Sequence, residues 1–327
     1  MRNDFFYSKN FNSMVRSKRL TEFRDNLIKM PSWDISKNDK NLFQVRKKLP
    51  AYLLKELIIK EEGYKKLEVE LLRKLDLSCL DFFNVDVRNL DLSYTNICLD
   101  PQRVKNKSLY GTNCMGLDFR DKDFFSVDVR GANLEDTGAS IDPQTIYQKS
   151  LQGTNCFGVD FLGKSFFDVC VEESVLAKTN ASIDPQLVRG KSLAMTDCQG
   201  LVLAKKDFTG ADVRCANLKN TGANIDPQLI YDKSLDGTNC QGLNFIGKNF
   251  DDVSIRATNL EGTNASIFLQ KIRNKSLYRT NCRGVIFLDN DFTGVFIQDT
   301  IFDERVRFKD FFKEEVNVER HKYKKLI

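Results

Sequence analysis

Apolar residues recur at every fifth position along most of the chain, and the whole series returns after 42 residues. One copy runs Leu109, Cys114, Phe119, Phe124, Val129, Leu134, and the next runs Leu151, Cys156, Phe161, Phe166, Val171, Leu176. A surface helix repeats its apolar residues at a period of 3.6 and a strand at 2, so a step of five fits neither. The period therefore predicts a repeat architecture.

Polar residues follow the same 42-residue unit. The tripeptide Asp-Pro-Gln begins at Asp100, Asp142, Asp184 and Asp226, and a fifth copy reads Phe268-Leu269-Gln270. The inward series takes a step of seven from Leu134 to Ile141 and then returns to steps of five. We therefore expect each unit to hold eight pentapeptides and a two-residue insertion just before Asp-Pro-Gln, which we interpret as a turn.

Several pentapeptides carry a small residue, then Asp or Asn, then Leu, as in Ala132-Asn133-Leu134 and Ala216-Asn217-Leu218. In this respect the chain, over roughly residues 72–302, resembles the pentapeptide-repeat family. The resemblance implies an all-β solenoid, the right-handed quadrilateral β-helix, with four pentapeptides per coil and the central Leu or Phe pointing inward. At ~4.8 Å per coil, about 11 coils would make a rod of roughly 50–55 Å.

The two ends differ from the repeats in charge. Residues 1–71 carry a net charge of +6, residues 72–302 one of −3, and residues 303–327 one of +2. We expect helices over 12–29 and 50–71, and a short C-terminal helix followed by a charged tail. Because an uncapped coil exposes unpaired backbone groups, both flanks are interpreted as caps. A homodimer could form through a cap, with candidate residues Phe308, Phe311 and Phe312.

Five of the nine cysteines lie in one inward column: Cys114, Cys156, Cys198, Cys240 and Cys282. Neighbours in this column would lie ~9.6 Å apart, beyond the reach of a disulfide. We interpret them as small buried hydrophobic residues, with Cys79, Cys98, Cys170 and Cys215 in outward or corner positions. Such a number of free thiols favours a reducing compartment, and a cytoplasmic location is expected.

The sequence offers little for catalysis. His321 is the only histidine and lies in the charged tail, while the Asp-Pro carboxylates recur once per repeat instead of forming one singular pair. We therefore expect no enzyme activity, no catalytic residues, no cofactor and no metal. No run of 18 apolar residues exists, so we expect no membrane span.

Regular lines of basic and aromatic residues mark the candidate interaction surface. One lysine ladder contains Lys107, Lys149, Lys191, Lys233 and Lys275, and a second contains Lys122, Lys164, Lys206 and Lys248. An arginine series contains Arg88, Arg130, Arg214 and Arg256, interrupted by Glu172. Tyr147 and Tyr231 follow the Asp-Pro-Gln segments, whose corners are either a ribbed binding surface or inherited bulges. Solenoids commonly bind through such regular surfaces.

These features favour a non-enzymatic binding or scaffold protein that presents a rigid surface to an unidentified protein partner. One alternative comes from the family, in which some members imitate duplex DNA and modulate or protect type II topoisomerases; a net charge of −3 over residues 72–302 argues against it. A second alternative is nucleic-acid binding through the basic N-terminal region, although its cations are mixed with acids. Nucleic acid is the less favoured partner overall.

Overall fold

The structure is a computed structural model that describes residues 78, 82–303 and 306. The predicted N-terminal helices over 12–29 and 50–71 lie outside the described residues. So do Cys79, His321 and the predicted dimer residues Phe308, Phe311 and Phe312. The predictions made for these parts of the chain therefore stay predictions.

Regular elements are short throughout the described residues. Two strands, β1 (Ser266–Ile267) and β2 (Ile286–Phe287), pair in parallel. Within the described residues, five tight turns occupy Lys105–Lys107, Tyr147–Lys149, Arg189–Lys191, Tyr231–Lys233 and Arg273–Lys275. Frequent turns leave room for only one or two extended residues at a time, which is why long strands do not form.

Parallel bridges connect segments that follow one another at nearly regular intervals. One unbroken line of bridges joins Asp91, Asn113, Asn133, Asn155, Val175, Asp197, Asn217, Asn239, Asn259, Asn281 and Ile301. We call the stretch of chain between two neighbours on this line a pass. Shorter and longer passes alternate, as from Asn113 to Asn133 and from Asn133 to Asn155. The chain thus returns to the same line at the end of every pass.

The five-residue series forms a single core. Leu109, Cys114 and Phe119 have no exposed surface, and Phe124 is 3 % exposed. Phe119 and Phe124 meet edge to face with ring centroids 5.5 Å apart, a preferred aromatic geometry, and the same contact recurs in the next unit. The solenoid and its right-handed, four-sided coil stay predictions.

Buried threonines tie adjacent passes together. The hydroxyl of Thr112 is completely buried and donates to the carbonyl of Val87 at 2.8 Å, 25 residues earlier. The same bond recurs from Thr154, Thr196, Thr238 and Thr280. Because a buried hydroxyl without a partner costs free energy, these bonds make threonine acceptable inside the core.

The hydrogen-bond register shows where the longer pass differs from its neighbours. Asn133 bridges Asn155 and Ser140 bridges Asp160, so a step of seven residues on the longer pass faces a step of five on the next pass. Relative to the next pass, the two extra residues therefore lie between Leu134 and Ile141, where the sequence predicts them. Relative to the previous pass they lie at the turn Tyr147–Lys149, because Ser126 N bonds to Thr145 O whereas Gly131 N bonds to Gln152 O. Thr137 and Ala139, inside the step of seven, are buried.

Asp-Pro-Gln is a structural clamp between passes. The Asp142 carboxylate accepts the Gln144 backbone N–H at 2.9 Å, and Pro143 is buried. The Gln144 side chain donates from Nε2 to the carbonyls of Ser165 at 3.2 Å and Phe167 at 2.7 Å. Equivalent pairs of bonds arise from Gln102, Gln186, Gln228 and Gln270. The motif therefore holds the next pass in register.

The fifth copy keeps this clamp without its Asp-Pro pair. Asp289, on the following pass, accepts the N–H of Leu269 at 3.0 Å and that of Gln270 at 3.1 Å. A carboxylate from the neighbouring pass thus replaces the missing local one. The Gln270 side chain bridges to the next pass as the other glutamines do.

The five column cysteines are core residues. Burial raises the pKa of the Cys198 thiol to about 12, and it also raises the pKa of the thiols of Cys114, Cys156, Cys240 and Cys282. A neutral buried thiol is a poor nucleophile, so these residues act as small apolar side chains. Cys98 and Cys215 are exposed and Cys170 is partly exposed.

Replacing Gln144 by alanine tests the clamp. We expect Gln144→Ala to lower the free energy of unfolding by about 1–2 kcal/mol, because two backbone carbonyls lose their side-chain donor. Urea denaturation followed by circular dichroism measures the change. Gln152→Ala is the matched control, since that exposed glutamine makes no comparable bridge. Equal losses in the two variants would contradict the clamp.

Candidate interaction surface

The first lysine ladder lies on strained corners. Gln148 (φ +53°) and Lys149 (φ +46°) are both left-handed, and the Ser150 N–H donates to the Tyr147 carbonyl at 3.3 Å. Two central residues with positive φ define a type I′ turn. The corresponding lysines of the other corners, Lys107, Lys191, Lys233 and Lys275, have φ values between +43° and +52°. All five corners therefore place a lysine in left-handed backbone.

The lysines of this ladder keep most of their charge available. Lys191 and Lys275 are exposed, and Lys107, Lys149 and Lys233 are partly exposed. Within the described residues, only Lys233 of this ladder approaches a carboxylate closely enough for an ion pair, at 3.9 Å from Asp252. In the second ladder Lys206 pairs with Asp184 at 3.5 Å. The corner ladder is therefore the more accessible line of positive charge.

Arg130 is held between a carboxylate and two aromatic rings. Its guanidinium binds Asp128 through two bonds of 2.8 and 2.9 Å. It also lies 5.1 Å from the ring centroid of Tyr147 and 5.7 Å from that of Tyr110. Both distances are those of cation–π contacts. Both rings remain accessible, since Tyr110 is 46 % and Tyr147 is 42 % exposed.

Arg214 repeats this arrangement two units further along the chain. It binds Asp212 at 2.9 and 2.6 Å and lies 5.0 Å from the Tyr231 ring centroid. Burial alone would raise the pKa of the Asp212 carboxyl, but the bonds from Arg214 outweigh it and lower that pKa. Tyr147 and Tyr231 are 42 % and 51 % exposed, so both rings remain reachable.

Arg256 differs from the other two arginines. It bonds to Asp236, 20 residues earlier, at 3.1 and 2.5 Å. The corner residue that would correspond to Tyr231 is Arg273, which instead pairs with Asp232 at 3.1 Å and Asp252 at 3.4 Å. The structure therefore groups Tyr147 with Arg130 and Tyr231 with Arg214, and it places Arg256 in an ion pair without a ring.

The predicted rib separates into two features. The Gln144 side chain of Asp-Pro-Gln bonds to the backbone of the next pass. Tyr147 begins the following corner, which also contains Lys149. We define the corner wall by the lysines and the two tyrosine–arginine clusters: Lys107, Lys149, Lys191, Lys233, Lys275, Tyr147, Arg130, Tyr231 and Arg214.

One surface was missed by the sequence reasoning. Phe125 and Phe167 each follow an inward phenylalanine and are each 58 % exposed, while Leu187 and Leu229 are 50 % and 53 % exposed. Together with Thr145 and Thr209 they form what we call the apolar stripe. The adjacent phenylalanines of each Phe-Phe pair could have predicted this surface. Side chains of consecutive extended residues point to opposite faces, so only one ring of each pair can point inward.

Within residues 82–303, no group of three or more His, Cys, Asp or Glu side chains could hold a metal ion. The same part of the chain contains no helix that is long and apolar enough to span a bilayer. No family model and no curated protein sequence matches the chain. The resemblance to pentapeptide repeats accordingly stays a prediction.

A double-mutant cycle tests the tyrosine–arginine cluster. We expect Arg214→Gln and Tyr231→Leu to be coupled by about 0.5–1 kcal/mol in unfolding free energy, because each removes the same cation–π contact. Arg120 binds Asp118 in the same bidentate way without a ring contact of this kind. The control cycle, Arg120→Gln with Tyr231→Leu, should be additive. Additivity in both cycles would show that the ring and the guanidinium do not interact.

Proposed function

We propose that the chain is a non-enzymatic binding or scaffold protein that presents the corner wall to a protein partner. The observation that carries this proposal is the recurrence of lysine in left-handed backbone at five corners. A left-handed conformation costs an L-residue roughly 1–2 kcal/mol, and glycine avoids that cost.

Strain of this kind supports a role for the side chain. The position just before the lysine is already Gly190 in the third corner, yet Lys191 follows it with φ +52°. Lysine is not the least demanding residue for this backbone, and an exposed side chain adds nothing to the core. Strained residues are more often kept where the side chain acts on something outside the fold.

The tyrosine–arginine clusters add contact groups of the type found at binding hot spots. Tyrosine and arginine are enriched at the energetic centres of protein interfaces. Here Arg130 and Arg214 are already held by Asp128 and Asp212, so little side-chain entropy remains to be lost on binding. The arginine charges are balanced, which leaves the corner lysines to attract an acidic partner.

Glycine substitution separates stability from binding. We expect the triple variant Lys149→Gly, Lys191→Gly and Lys233→Gly to have a higher free energy of unfolding, by about 0.5–1 kcal/mol for each replaced lysine. The reason is that glycine adopts the left-handed backbone without strain. The same variant should lose a partner that full-length protein captures from lysate of its native host. Chemical denaturation and quantitative mass spectrometry of captured proteins measure the two effects.

Two comparisons make the capture interpretable. Tyr147→Ala with Tyr231→Ala should weaken recovery of the same partner, whereas Lys122→Gln, Lys164→Gln and Lys248→Gln on the second ladder should leave it unchanged. Recovery that is equal for wild type and both corner-wall variants would refute the proposal, as would the absence of any specific partner.

A further inference from the structure

The apolar stripe is one continuous line across six passes. Hydrogen bonds join each member, or its neighbour in sequence, to the next: Ser126 N to Thr145 O, Gln144 Nε2 to Phe167 O, Asp168 N to Leu187 O, Gln186 Nε2 to Thr209 O, and Gly210 N to Leu229 O. Phe125, Thr145, Phe167, Leu187, Thr209 and Leu229 are therefore stacked in this order.

Charged side chains end the stripe on both sides. On the pass before Phe125, Arg103 lies 5.7 Å from the Phe83 ring centroid. On the passes after Leu229, Lys271 and Asp251 form an ion pair at 3.4 Å. At ~4.8 Å per pass, the five steps between Phe125 and Leu229 cover about 24 Å. The patch thus has a defined length.

Two threonines separate the larger apolar residues of the stripe. The Thr145 hydroxyl donates to the Asp142 carbonyl at 3.0 Å, so its hydrogen bond is satisfied within its own turn. Thr209 bonds to the Asp207 carboxylate, which accepts its backbone N–H at 2.8 Å. A contiguous apolar patch of this kind on a folded protein commonly marks an interaction site.

The corner lysines run beside the stripe. Lys149, Lys191 and Lys233 each follow a stripe residue by four positions, across the tight turn that begins two residues after it. They occur on every second pass, so they are spaced ~9.6 Å apart. Lys149 and Lys191 have no carboxylate within ion-pair distance among the described residues, and Lys233 has one at 3.9 Å. One flank of the stripe therefore carries these lysines, with the carboxylates of Asp168, Asp232 and Asp252 held in ion pairs beside them.

These spacings fit a helix better than an extended peptide. An α-helix advances 5.4 Å per turn, close to the ~4.8 Å pass, and about 16 residues would cover 24 Å. Residues seven apart on a helix are ~10.5 Å apart, close to the lysine spacing. Alternate residues of a strand lie ~6.6 Å apart and fall out of step with the passes.

We propose that the apolar stripe binds an amphipathic, acidic α-helix of about 16 residues from another protein. The helix lies along the stack, places one apolar side chain per turn on the stripe, and directs carboxylates at seven-residue intervals toward Lys149, Lys191 and Lys233. This inference rests on the proposed binding function and names the chemistry of the partner.

Synthetic helices test the proposal on the full-length chain. The probe is a fluorescent 18-residue helical peptide with leucine on one face and glutamate at seven-residue intervals on one flank. A matched peptide carries lysine in place of those glutamates. Fluorescence anisotropy should show at least about tenfold tighter binding of the acidic peptide, with an advantage that shrinks as salt is added.

Variants locate the binding site. Phe167→Ser with Leu187→Ser should weaken binding of the acidic peptide at least about tenfold, since an apolar anchor is lost on two neighbouring passes. Val202→Ser with Ile246→Ser, which removes exposed apolar residues outside the stripe, should change it less than about twofold. Lys149→Gln, Lys191→Gln and Lys233→Gln should weaken it and flatten its salt dependence. All substituted side chains are partly or fully exposed, and unchanged thermal melts confirm folding.

Two outcomes would overturn the proposal. One is equal binding of the acidic and basic peptides, or equal binding by the stripe variant and wild type. The other is a wild-type dimer in sedimentation that the stripe variant converts to a monomer, because a second copy would then be the occupant. A third outcome separates the two proposals. If the corner-wall variants lose the host partner but the stripe variant still binds it, the proposed function is retained and only this inference is rejected.

Discussion

Parallel backbone pairing between successive passes is the constraint on which the rest depends. The line from Asp91 to Ile301 contains seven asparagines, and their side chains extend the pairing. Asn239 donates to Asn217 at 3.0 Å and Asn259 donates to Asn239 at 3.0 Å. Each of these acceptor oxygens also takes the backbone N–H two residues further along its own pass. Side chain and backbone thus specify the same register.

Register in turn determines what reaches the surface. Each pass closes in 20 or 22 residues, so tight corners are unavoidable. Relative to the previous pass, the longer passes have two extra residues at the Tyr147–Lys149 type of corner. At that corner Lys149 is partly exposed to solvent. Tyr147 of the same corner lies beside Arg130 of the previous pass. The binding features proposed for the corner wall are therefore consequences of how the passes close.

The burial pattern followed directly from the sequence, because the inward residue of each pentapeptide is set by a local five-residue period. The clamp at Gln144 did not, since its acceptors are backbone carbonyls 21 and 23 residues away and carry no sequence signal. The step of seven from Leu134 to Ile141 was read from the sequence, whereas the two residues that the Tyr147–Lys149 corner adds relative to the previous pass were not recognised, because that corner keeps the five-residue period. The exposure of Phe125 was missed because Phe125 directly follows the buried Phe124. The sequence alone does not show which of two adjacent phenylalanines is exposed.

A single cysteine substitution tests the pairing register most directly. Ser150 forms a parallel bridge with Cys170, so the two Cα atoms should lie within disulfide range. After mild oxidation, the full-length variant Ser150→Cys should give a disulfide to Cys170 in peptide mass spectrometry. The control Ser108→Cys, whose bridge partner is Asp128, should give no such cross-link. A Ser150→Cys chain that stays unlinked, or that links to another thiol, would contradict the register and the account built on it.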